Sequence, residues 1–368
     1  MKPIYIWQYP EWPHFTWSES VIQQQLSTIR YKQGQLVGMM TVLGLDIQNA
    51  SSLEVMTMDI VKSCEIEGVV LNSERVRSSV ARHLGVQTEG LPEPDHYTEG
   101  IVEVMIDAVR NATVPLTPDR LFGWHAALFP TGRSGMYKIT VGDWRVGEEP
   151  MQVVSGAMGH EVVHYEAPPS SSVPVMMHQF LDWLEQEGNV CDPIVKAAIA
   201  HLWFVAIHPF DDGNGRLTRT ITDMMMCRAD GLPHRYYSMS KTICNHKKDY
   251  YAALEATTVG DTDITRWLIY FLDTLDLAIS EALSSTETTI RKTQFWQRFR
   301  NIPMNERQVR MINMVWDGFE GKLTNAKWAK ITKISPSTAL RDIQELISYG
   351  VLSIAEGGGR STSYELVK

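Results

Sequence analysis

The sequence is poor in cysteine and contains no long apolar run. Its four cysteines lie far apart in 368 residues and form no C-x-x-C pair, which argues against a disulfide framework and a cysteine zinc site. No stretch approaches eighteen apolar residues, so no membrane-spanning helix and no membrane partner are expected. The opening residues, MKPIYIWQYPEWPHFTW, lack the basic and apolar regions of a signal peptide. We therefore expect a cytoplasmic protein.

An excess of positive charge is also missing. The formal net charge is −9 at pH 7, which argues against a chain that coats nucleic acid non-specifically. Hydrophobic residues make up 44% and charged residues 21% of the chain, as in globular proteins. Because 368 residues exceed one ordinary core, two or three domains are expected.

Apolar residues recur at helical spacing through most of the chain. The pattern predicts helices over 19–47, over 52–70 with Gly68 closing the helix, and over 97–111. Residues 133–168 differ, because they are rich in Gly, Val and Tyr in short alternating runs, which predicts a β-hairpin. The sequence therefore predicts a mainly α fold with one hairpin.

A polar stretch, SSTETTIRKTQ, precedes a tail of different composition. Residues 303–368 hold nine Lys or Arg and seven Asp or Glu, a net charge of +2 within an acidic chain. We therefore predict three domains: an N-terminal helical domain over 1–90, a core over 91–290, and a C-terminal domain over 303–368.

The segment HPFDDGNGRLTR, residues 208–219, combines groups that could hold a phosphate. Pro209 disfavours a helical conformation for His208, which places the imidazole where a helix meets a loop. Gly213 and Gly215 allow a ligand to approach the backbone closely, and successive N–H groups can converge on an anion. A helix that begins here adds its own free N–H groups.

The charged residues of this segment point to the same kind of ligand. Arg216 and Arg219 share one face of the first helical turn, where the helix dipole disfavours each cation by about 0.3–1 kcal/mol. Asp211 and Asp212 lie beside them, and a carboxylate next to phosphates is a usual Mg²⁺ ligand. Base, metal ligand, amide loop and arginines together predict phosphoryl or nucleotidyl transfer. The alternative is a tight interhelical turn whose aspartates pair with the arginines.

The segment resembles the signature of Fic (filamentation induced by cAMP) domain proteins, H-P-F-x-[D/E]-G-N-G-R-x-x-R, at every fixed position. The resemblance implies a protein adenylyltransferase that moves AMP from ATP to a Ser, Thr or Tyr hydroxyl of a protein target, with Mg²⁺. It assigns roles as follows: His208 takes the hydroxyl proton, Asp212 holds Mg²⁺, Phe210 anchors the loop, Gly213, Asn214 and Gly215 hold the α- and β-phosphates, and Arg216 and Arg219 hold the outer phosphates. The target can be a second copy of the chain.

The hexapeptide SCEIEG, residues 63–68, resembles the inhibitory helix pattern of the same family, [S/T]-x-x-x-E-[G/N]. The resemblance implies that Glu67 pairs with Arg219 where the γ-phosphate would bind, because a carboxylate and a phosphate compete for one guanidinium. Such proteins, with the motif before the core, are the autoinhibited class II. In some members the glutamate instead serves removal of AMP, which is an alternative here. Residues 1–90 resemble the domain that often precedes bacterial Fic cores.

Two further segments resemble family elements around the active site. VVHYEAPP, residues 162–169, takes the place of the flap that aligns the target as an added strand; the flap candidates are Val163, His164, Tyr165 and Glu166. DYYAAL resembles the helix beside the adenine, so Tyr250 and Tyr251 are expected to flank the base. Thr258 stands where relatives often carry Asn, which leaves a UMP or other donor open. Asn245 is the alternative contact to ribose or base.

The tail resembles a winged helix-turn-helix, with Ser335 and Pro336 opening its second helix. The resemblance implies that Ser337, Thr338 and Arg341 of that helix contact DNA, together with Arg360 in the wing. A protein-interaction or homodimer role is the alternative, since the charge is low. A second functional hypothesis is therefore a transcriptional regulator whose Fic core senses nucleotide. The expected fold is mainly α: a Fic-type core with a flap, an N-terminal helical domain and a winged-helix tail.

Overall fold

The computed structural model describes residues 4–86, 90–155, 162–186, 191–355 and 362–367. The chain divides into two compact units, Met1–Leu283 and Ser284–Lys368. Both are mainly helical, which confirms the predicted fold class. Among the described residues no helix is both long enough and apolar enough to cross a bilayer. The three-domain division with its boundaries stays a prediction.

Helices dominate the first unit, and many begin at side-chain caps. They are α1 (Glu19–Thr41), α2 (Leu45–Ile66), α3 (Ser73–Leu84), α4 (His96–Arg110), α5 (Pro118–Leu128), α6 (Val173–Glu185), α7 (Pro193–Ile207), α8 (Asn214–Asp230), α9 (Met239–Asn245), α10 (Lys247–Thr258) and α11 (Thr265–Arg298), of which the last continues into the second unit. Asn72, Asp95 and Thr117 accept hydrogen bonds from backbone N–H groups in the first turns of α3, α4 and α5. The first turn of α5 also contains Pro118, whose fixed backbone angle suits that position.

Helix α7 forms the centre of the first unit. Nearly all of its side chains are buried, from Ile194 to Ile207, so it has no polar face. A helix that is apolar on every side belongs inside a protein. It packs against α8, and the turn between them, residues 208–213, therefore lies at the edge of the core, with Phe210 buried and Asp212 partly exposed.

A two-stranded hairpin covers part of the first unit. Strands β3 (Gln152–Ser155) and β4 (Val162–Glu166) pair antiparallel, with Val153 opposite Tyr165. They follow a short hairpin of β1 (Arg133–Ser134) and β2 (Tyr137–Lys138). The Tyr165 hydroxyl donates to the Ala206 carbonyl of α7 (2.6 Å), and the Trp7 indole N–H donates to the Glu166 carbonyl (2.8 Å). These bonds anchor β4 to the helical core.

The second unit has its own hydrophobic core around Trp328 and Ile343. Its elements are the end of α11, then α12 (Glu306–Trp316), β5 (Leu323–Thr324), α13 (Asn325–Thr332), α14 (Pro336–Ser348), β6 (Leu352–Ile354) and β7 (Ser363–Leu366). The strands are antiparallel in the order β5-β7-β6. The Ser335 hydroxyl caps α14 by accepting from Thr338 N–H (3.2 Å), as predicted. Assignment as a winged helix stays a prediction.

A buried charge cluster fastens α2 to α8. Arg235 donates to Asp59 of α2 (2.8 Å) and to Asp223 of α8 (2.6 Å), and all three side chains are almost fully buried. Ser238 also donates to Asp59 (2.6 Å). Burial raises the pKa of Asp223 to about 8, although the Arg235 guanidinium opposes that rise. One guanidinium thus balances two carboxylates from two helices.

The cluster predicts a pH-dependent loss of stability in Arg235→Met. The change leaves two buried carboxylates without their cation, so the free energy of unfolding at pH 8 should fall by about 3–5 kcal/mol. A carboxyl group whose pKa is raised by folding stabilises the fold at low pH and loses that contribution as pH rises through the raised value. The deficit should therefore shrink between pH 8 and pH 5, as measured by urea unfolding.

Arg75→Met is the control, because Arg75 forms an exposed pair with Asp95 (2.8 Å). Its effect should stay within about 1 kcal/mol at both pH values. This account of the cluster would be contradicted if both variants lost the same free energy of unfolding, or if the loss in Arg235→Met did not change with pH.

Candidate functional site

The turn between α7 and α8 has an unusual backbone. His208 ends α7 with a φ of 51°, in the left-handed region, and its N–H still donates to the Phe204 carbonyl (3.1 Å). Pro209 follows, which disfavours a helical continuation. Gly213, with a φ of 85°, precedes α8, and a Cβ there would lie 2.8 Å from the Phe129 ring. Both conformation and space therefore require glycine at 213.

Phe210 and Asn214 fix the middle of the turn. The Asn214 side chain accepts from Phe210 N–H (3.0 Å) and donates to the Phe210 carbonyl (2.8 Å). Phe210 is buried and stacks on His125, with ring centroids 4.2 Å apart. These contacts fit the predicted anchoring role of Phe210. Both polar atoms of the Asn214 side chain are engaged with the protein, and a phosphate contact by Asn214 stays a prediction.

His125 of α5 holds the turn from the other side. Its Nδ1 accepts from Gly142 N–H (3.3 Å), and its Nε2 lies 3.1 Å from the Asp212 carbonyl oxygen. An N–H donor at one nitrogen and a carbonyl at the other require the neutral tautomer with its proton on Nε2. Burial lowers the pKa of His125 and favours this neutral form. His125 thus connects the loop before the flap to the turn.

The imidazole of His208 is partly buried at the start of the turn. Its Nδ1 lies 3.3 Å from the Val205 carbonyl, which assigns a proton to Nδ1 and leaves Nε2 as the acceptor. Burial lowers the pKa of His208 to about 4, assisted by the charge of Arg145 and opposed by the Val205 hydrogen bond and the carboxylates of Glu67 and Asp212. The imidazole is therefore neutral at pH 7 and can accept a proton.

Arg219, 2% exposed, is held by the last turn of α2. Its Nε donates to the Ser63 hydroxyl, and its Nη2 donates to the Ser63 carbonyl and to Glu67 Oε1, all at 2.8 Å. Its Nη1 is buried without a hydrogen-bond partner. A buried guanidinium with an unsatisfied donor is a site that an anion would complete.

Arg216 lies one turn earlier on α8 and is also buried. Its guanidinium covers the Phe129 ring (4.8 Å), donates to the Tyr97 hydroxyl (3.2 Å) and lies 3.9 Å from Asp212. Its Nε is buried without a hydrogen-bond partner. The first two turns of α8 thus present two buried cations and two unsatisfied donors near the helix N-terminus, which suits a polyanion.

Glu67 lies directly against this helix N-terminus. A Cβ added to Gly215 would stand 2.1 Å from Glu67 Oε1 and 3.2 Å from Arg219 Nη1. Only the missing side chain at 215 lets the carboxylate approach the α8 backbone so closely. A carboxylate therefore occupies the space at the first turn that the sequence analysis assigns to phosphate.

Asp212 is the one predicted metal ligand. Its carboxylate, 44% exposed, accepts from the Ser134 hydroxyl and from Gly213 N–H. Over the described residues no group of three or more His, Cys, Asp or Glu side chains could hold a metal ion. Mg²⁺ is commonly bound by one or two carboxylates together with substrate phosphates and water. The donor set therefore fits a Mg²⁺ that arrives with a nucleotide.

Comparison with known families agrees with this geometry. Residues 115–226 match the Fic/DOC family, and residues 5–86 match a domain of unknown function, DUF4172. The chain carries a Fic/DOC family domain. The turn with His208 and the first turn of α8 both lie within the matched Fic segment, and Glu67 lies within the other.

Curated relatives match part of the chain at moderate identity. The protein adenylyltransferase fic-1 of Caenorhabditis elegans is 37% identical over 86 residues, which are 23% of this chain and 16% of that protein. The protein adenylyltransferase Fic of Culex quinquefasciatus is 34% identical over 95 residues, 26% of this chain and 18% of that protein. The matched segments thus span less than a fifth of these relatives.

Solved structures show the same fold. A Fic family protein from Desulfovibrio desulfuricans G20 has a TM-score of 0.52 and 20% identity, covering 93% of this chain and 96% of that chain. Fic-1 from C. elegans has the same TM-score and identity, covering 74% of each chain. The chain therefore shares its fold with these solved Fic family structures.

The flap candidates of the Fic domain divide between surface and core. Val163 is exposed, and His164 is partly exposed between Ser155 Oγ (2.6 Å) and Glu255 Oε2 (3.0 Å). Tyr165 is buried and its hydroxyl donates to the Ala206 carbonyl, so it attaches the flap to α7. Glu166 is partly buried and accepts from Gln152 (2.9 Å). Target contact by the exposed members stays a prediction.

The predicted adenine contacts also differ in exposure. Tyr250 is buried, with its hydroxyl 2.9 Å from His201, whereas Tyr251 is 38% exposed and Asn245 lies on the surface. Thr258 is buried and its hydroxyl donates to the Leu254 carbonyl (2.9 Å). Tyr251 and Asn245 are thus the accessible candidates, and base recognition stays a prediction.

The sequence analysis missed the groups that hold the motif in place. Tyr97, Phe129, His125 and Arg145 contact Arg216, Gly213 or the turn, but none stands in a recognisable local pattern. Arg145 is separated from His208 by 63 residues. No spacing rule connects such positions, and an alignment of relatives would be the signal able to find them.

Glu67 and Gly215 should be thermodynamically coupled. Gly215→Ala should lower the melting temperature of the otherwise unchanged protein, because the new Cβ displaces the Glu67 carboxylate. In Glu67→Ala the same change should be neutral or stabilising by up to about 1 kcal/mol, the helix preference of Ala over Gly. A four-protein cycle of thermal unfolding measures the coupling, which we expect to exceed about 1 kcal/mol.

Gly123→Ala is the control, since a Cβ at this helical position meets nothing within 4 Å. Its effect should add to that of Glu67→Ala without coupling. Additive effects of Gly215→Ala and Glu67→Ala would contradict the placement of the carboxylate against α8.

Proposed function

We propose that the chain transfers AMP from ATP to a hydroxyl group of a protein target. The observation that carries the proposal is the neutral His208 imidazole beside a helix N-terminus with two buried arginines. A neutral imidazole can act as a general base, and the cations with unsatisfied donors suit the phosphates of a nucleotide. The relatives named protein adenylyltransferase support the same reaction.

The residues divide the reaction between them. His208 takes the proton of the target hydroxyl through Nε2 while the oxygen forms a bond to the α-phosphorus. The bond between the α-phosphorus and the β-phosphate oxygen breaks, and pyrophosphate leaves. Arg216 and Arg219 balance the negative charge of the outer phosphates. Mg²⁺ held by Asp212 would neutralise phosphate charge when bound.

Glu67 restrains this activity in the proposal. Its carboxylate accepts from Arg219 Nη2 (2.8 Å) and lies against Gly215, where a phosphate would approach the α8 backbone. A γ-phosphate and this carboxylate cannot share one guanidinium donor and one space. Displacement of Glu67, or its removal, would leave Arg219 free for the nucleotide. Removal of AMP by a Glu67-activated water remains the alternative role.

Transfer should depend on Glu67 and His208 in opposite directions. With ATP labelled at the α-phosphate, Glu67→Ala should raise protein labelling at least tenfold in lysate or on the protein itself. His208→Ala in that background should abolish the label, and γ-labelled ATP should leave none. Competition by unlabelled UTP or GTP tests the donor, since Thr258 offers no free hydroxyl to a base.

Glu65→Ala is the matched control. Glu65 lies on the same helix but pairs with Lys62 at the surface (2.6 Å), so its loss should not change labelling. The transfer proposal is overturned if Glu67→Ala gives no α-label in either sample, and the inhibitory role alone fails if Glu65→Ala activates equally.

A second candidate function is DNA binding by the second unit. The observation in its favour is a group of exposed residues on α13, α14 and the turn between them: Lys330, Lys333, Ser337 and Arg341. Thr338 is partly buried by its contact with Ser335, and Arg360 lies outside the described residues. Phosphate and base contacts from such a helix are typical of DNA-binding domains.

Arg341 tests this second candidate. A sequence-selection gel-shift experiment on the full chain should yield a preferred duplex, and Arg341→Ala should weaken binding to it at least tenfold. Arg310→Ala, at another charged position of the same unit, should change binding less than twofold. Failure to select any duplex would leave the tail with a protein-interaction role.

A further inference from the structure

Arg145 is a buried arginine without an acidic partner. It lies in the loop before β3 and is 4% exposed. Among the described residues no carboxylate forms an ion pair with it. Burial lowers the pKa of its guanidinium, opposed by Asp211 and Tyr165 at longer range. A buried cation without a carboxylate costs stability unless its hydrogen bonds are made elsewhere.

The donors of Arg145 go to three backbone carbonyls. Its main-chain N–H donates to the Pro209 carbonyl (2.9 Å), and its Nε donates to the His208 carbonyl (2.7 Å). Its Nη2 donates to the Pro168 carbonyl (2.5 Å), just after β4. One residue therefore holds the peptides on both sides of Pro209 and the end of the flap.

The conformation of His208 needs such support. A non-glycine residue in the left-handed region costs about 1–2 kcal/mol and persists only where its surroundings hold it. Rotation of the His208 carbonyl toward the helical direction would turn its Cα–Cβ bond and move the imidazole. The bond from Arg145 Nε opposes that rotation directly.

We propose that Arg145 is a positioning residue that fixes the imidazole of His208 relative to the flap. Its bonds to His208 and Pro168 set the distance between the base and the strand on which a target hydroxyl is presented. Its positive charge also disfavours the imidazolium form of His208. The proposal rests on the proposed transfer reaction, in which His208 is the base.

The position predicts which kinetic constant changes. Displacing a catalytic group by about 1 Å can cost about a hundredfold in rate, whereas ATP contacts on α8 would remain. In the Glu67→Ala protein, Arg145→Lys and Arg145→Met should each lower kcat 10- to 100-fold, with the KM for ATP within twofold. A residue needed only for folding would lower the amount of active enzyme without this selectivity.

The two substitutions should differ in acid–base behaviour. Lys keeps the charge near His208, whereas Met removes it, so the pKa of His208 should rise in Arg145→Met only. Because the base must be neutral, the acid limb of the pH–rate profile should move to higher pH in that variant. NMR titration of isotope-labelled histidine, assigned with His208→Ala, measures the same pKa without any assay of transfer.

Arg120 provides the matched control. It is also largely buried and donates to the backbone carbonyls of Val114 (2.7 Å) and Asn111 (3.1 Å), away from the turn, although it pairs with Asp107 (2.7 Å) as well. Arg120→Lys and Arg120→Met should change the melting temperature and leave both kcat per folded molecule and the His208 titration unchanged. Circular dichroism establishes the folded fraction of every variant.

The results that overturn the proposal are definite. A kcat within twofold of the parent in Arg145→Lys, or an unchanged His208 pKa in Arg145→Met, rules out positioning by Arg145. If Arg145→Met does not fold, the comparison of kcat between Arg145→Lys and Arg120→Lys tests the positioning role. If no variant transfers nucleotide, the proposed function fails, and the His208 titration still decides on Arg145 by itself.

Discussion

The site depends on one turn that reverses the chain inside the core. Helix α7 is apolar on all sides and packs against α8, and Pro209, Phe210 and Gly213 of the turn are buried, so backbone groups there need partners within the protein. Three side chains supply these bonds: Asn214 from the start of α8, His125 from α5, and Arg145 from the loop before the flap. The same contacts that make this turn possible also orient His208 and the first turn of α8.

The buried charged side chains of α8 account for the attachment of α2. Arg219 and Asp223 lie one turn apart on α8, and neither can be buried without a partner. The first is held by Ser63 and Glu67, and the second connects through Arg235 to Asp59. Helix α2 is therefore attached at two points, through Asp59 and, eight residues later, through Glu67. Loss of the Glu67 contact leaves the Asp59 contact intact, so an anion could replace one carboxylate without detaching the helix.

The sequence alone is informative where the chemistry is contiguous. The mainly α class, the hairpin and the Fic motif follow from local spacing, and the glycine at 213 has the backbone that its position in the motif implies. Boundaries are uneven: α1 ends at Thr41, short of the predicted residue 47, whereas α2 ends at Ile66, just before Gly68, which was predicted to close it. Helix α3 was not predicted, although Val76 and Val80 lie on its buried face at helical spacing. Small and polar side chains, Ser78, Ser79 and Ala81, occupy the rest of that face.

What the sequence leaves open is the protonation state of the site. An unperturbed histidine has a pKa near 6.5, so a motif histidine alone would be partly protonated in mildly acidic conditions. Burial in the turn lowers the pKa of His208 to about 4, and Arg145, 63 residues away in sequence, adds to that effect. The motif thus supplies the type of reacting group, whereas long-range packing determines its charge and direction. No local pattern can contain that information, because the groups concerned meet only after folding.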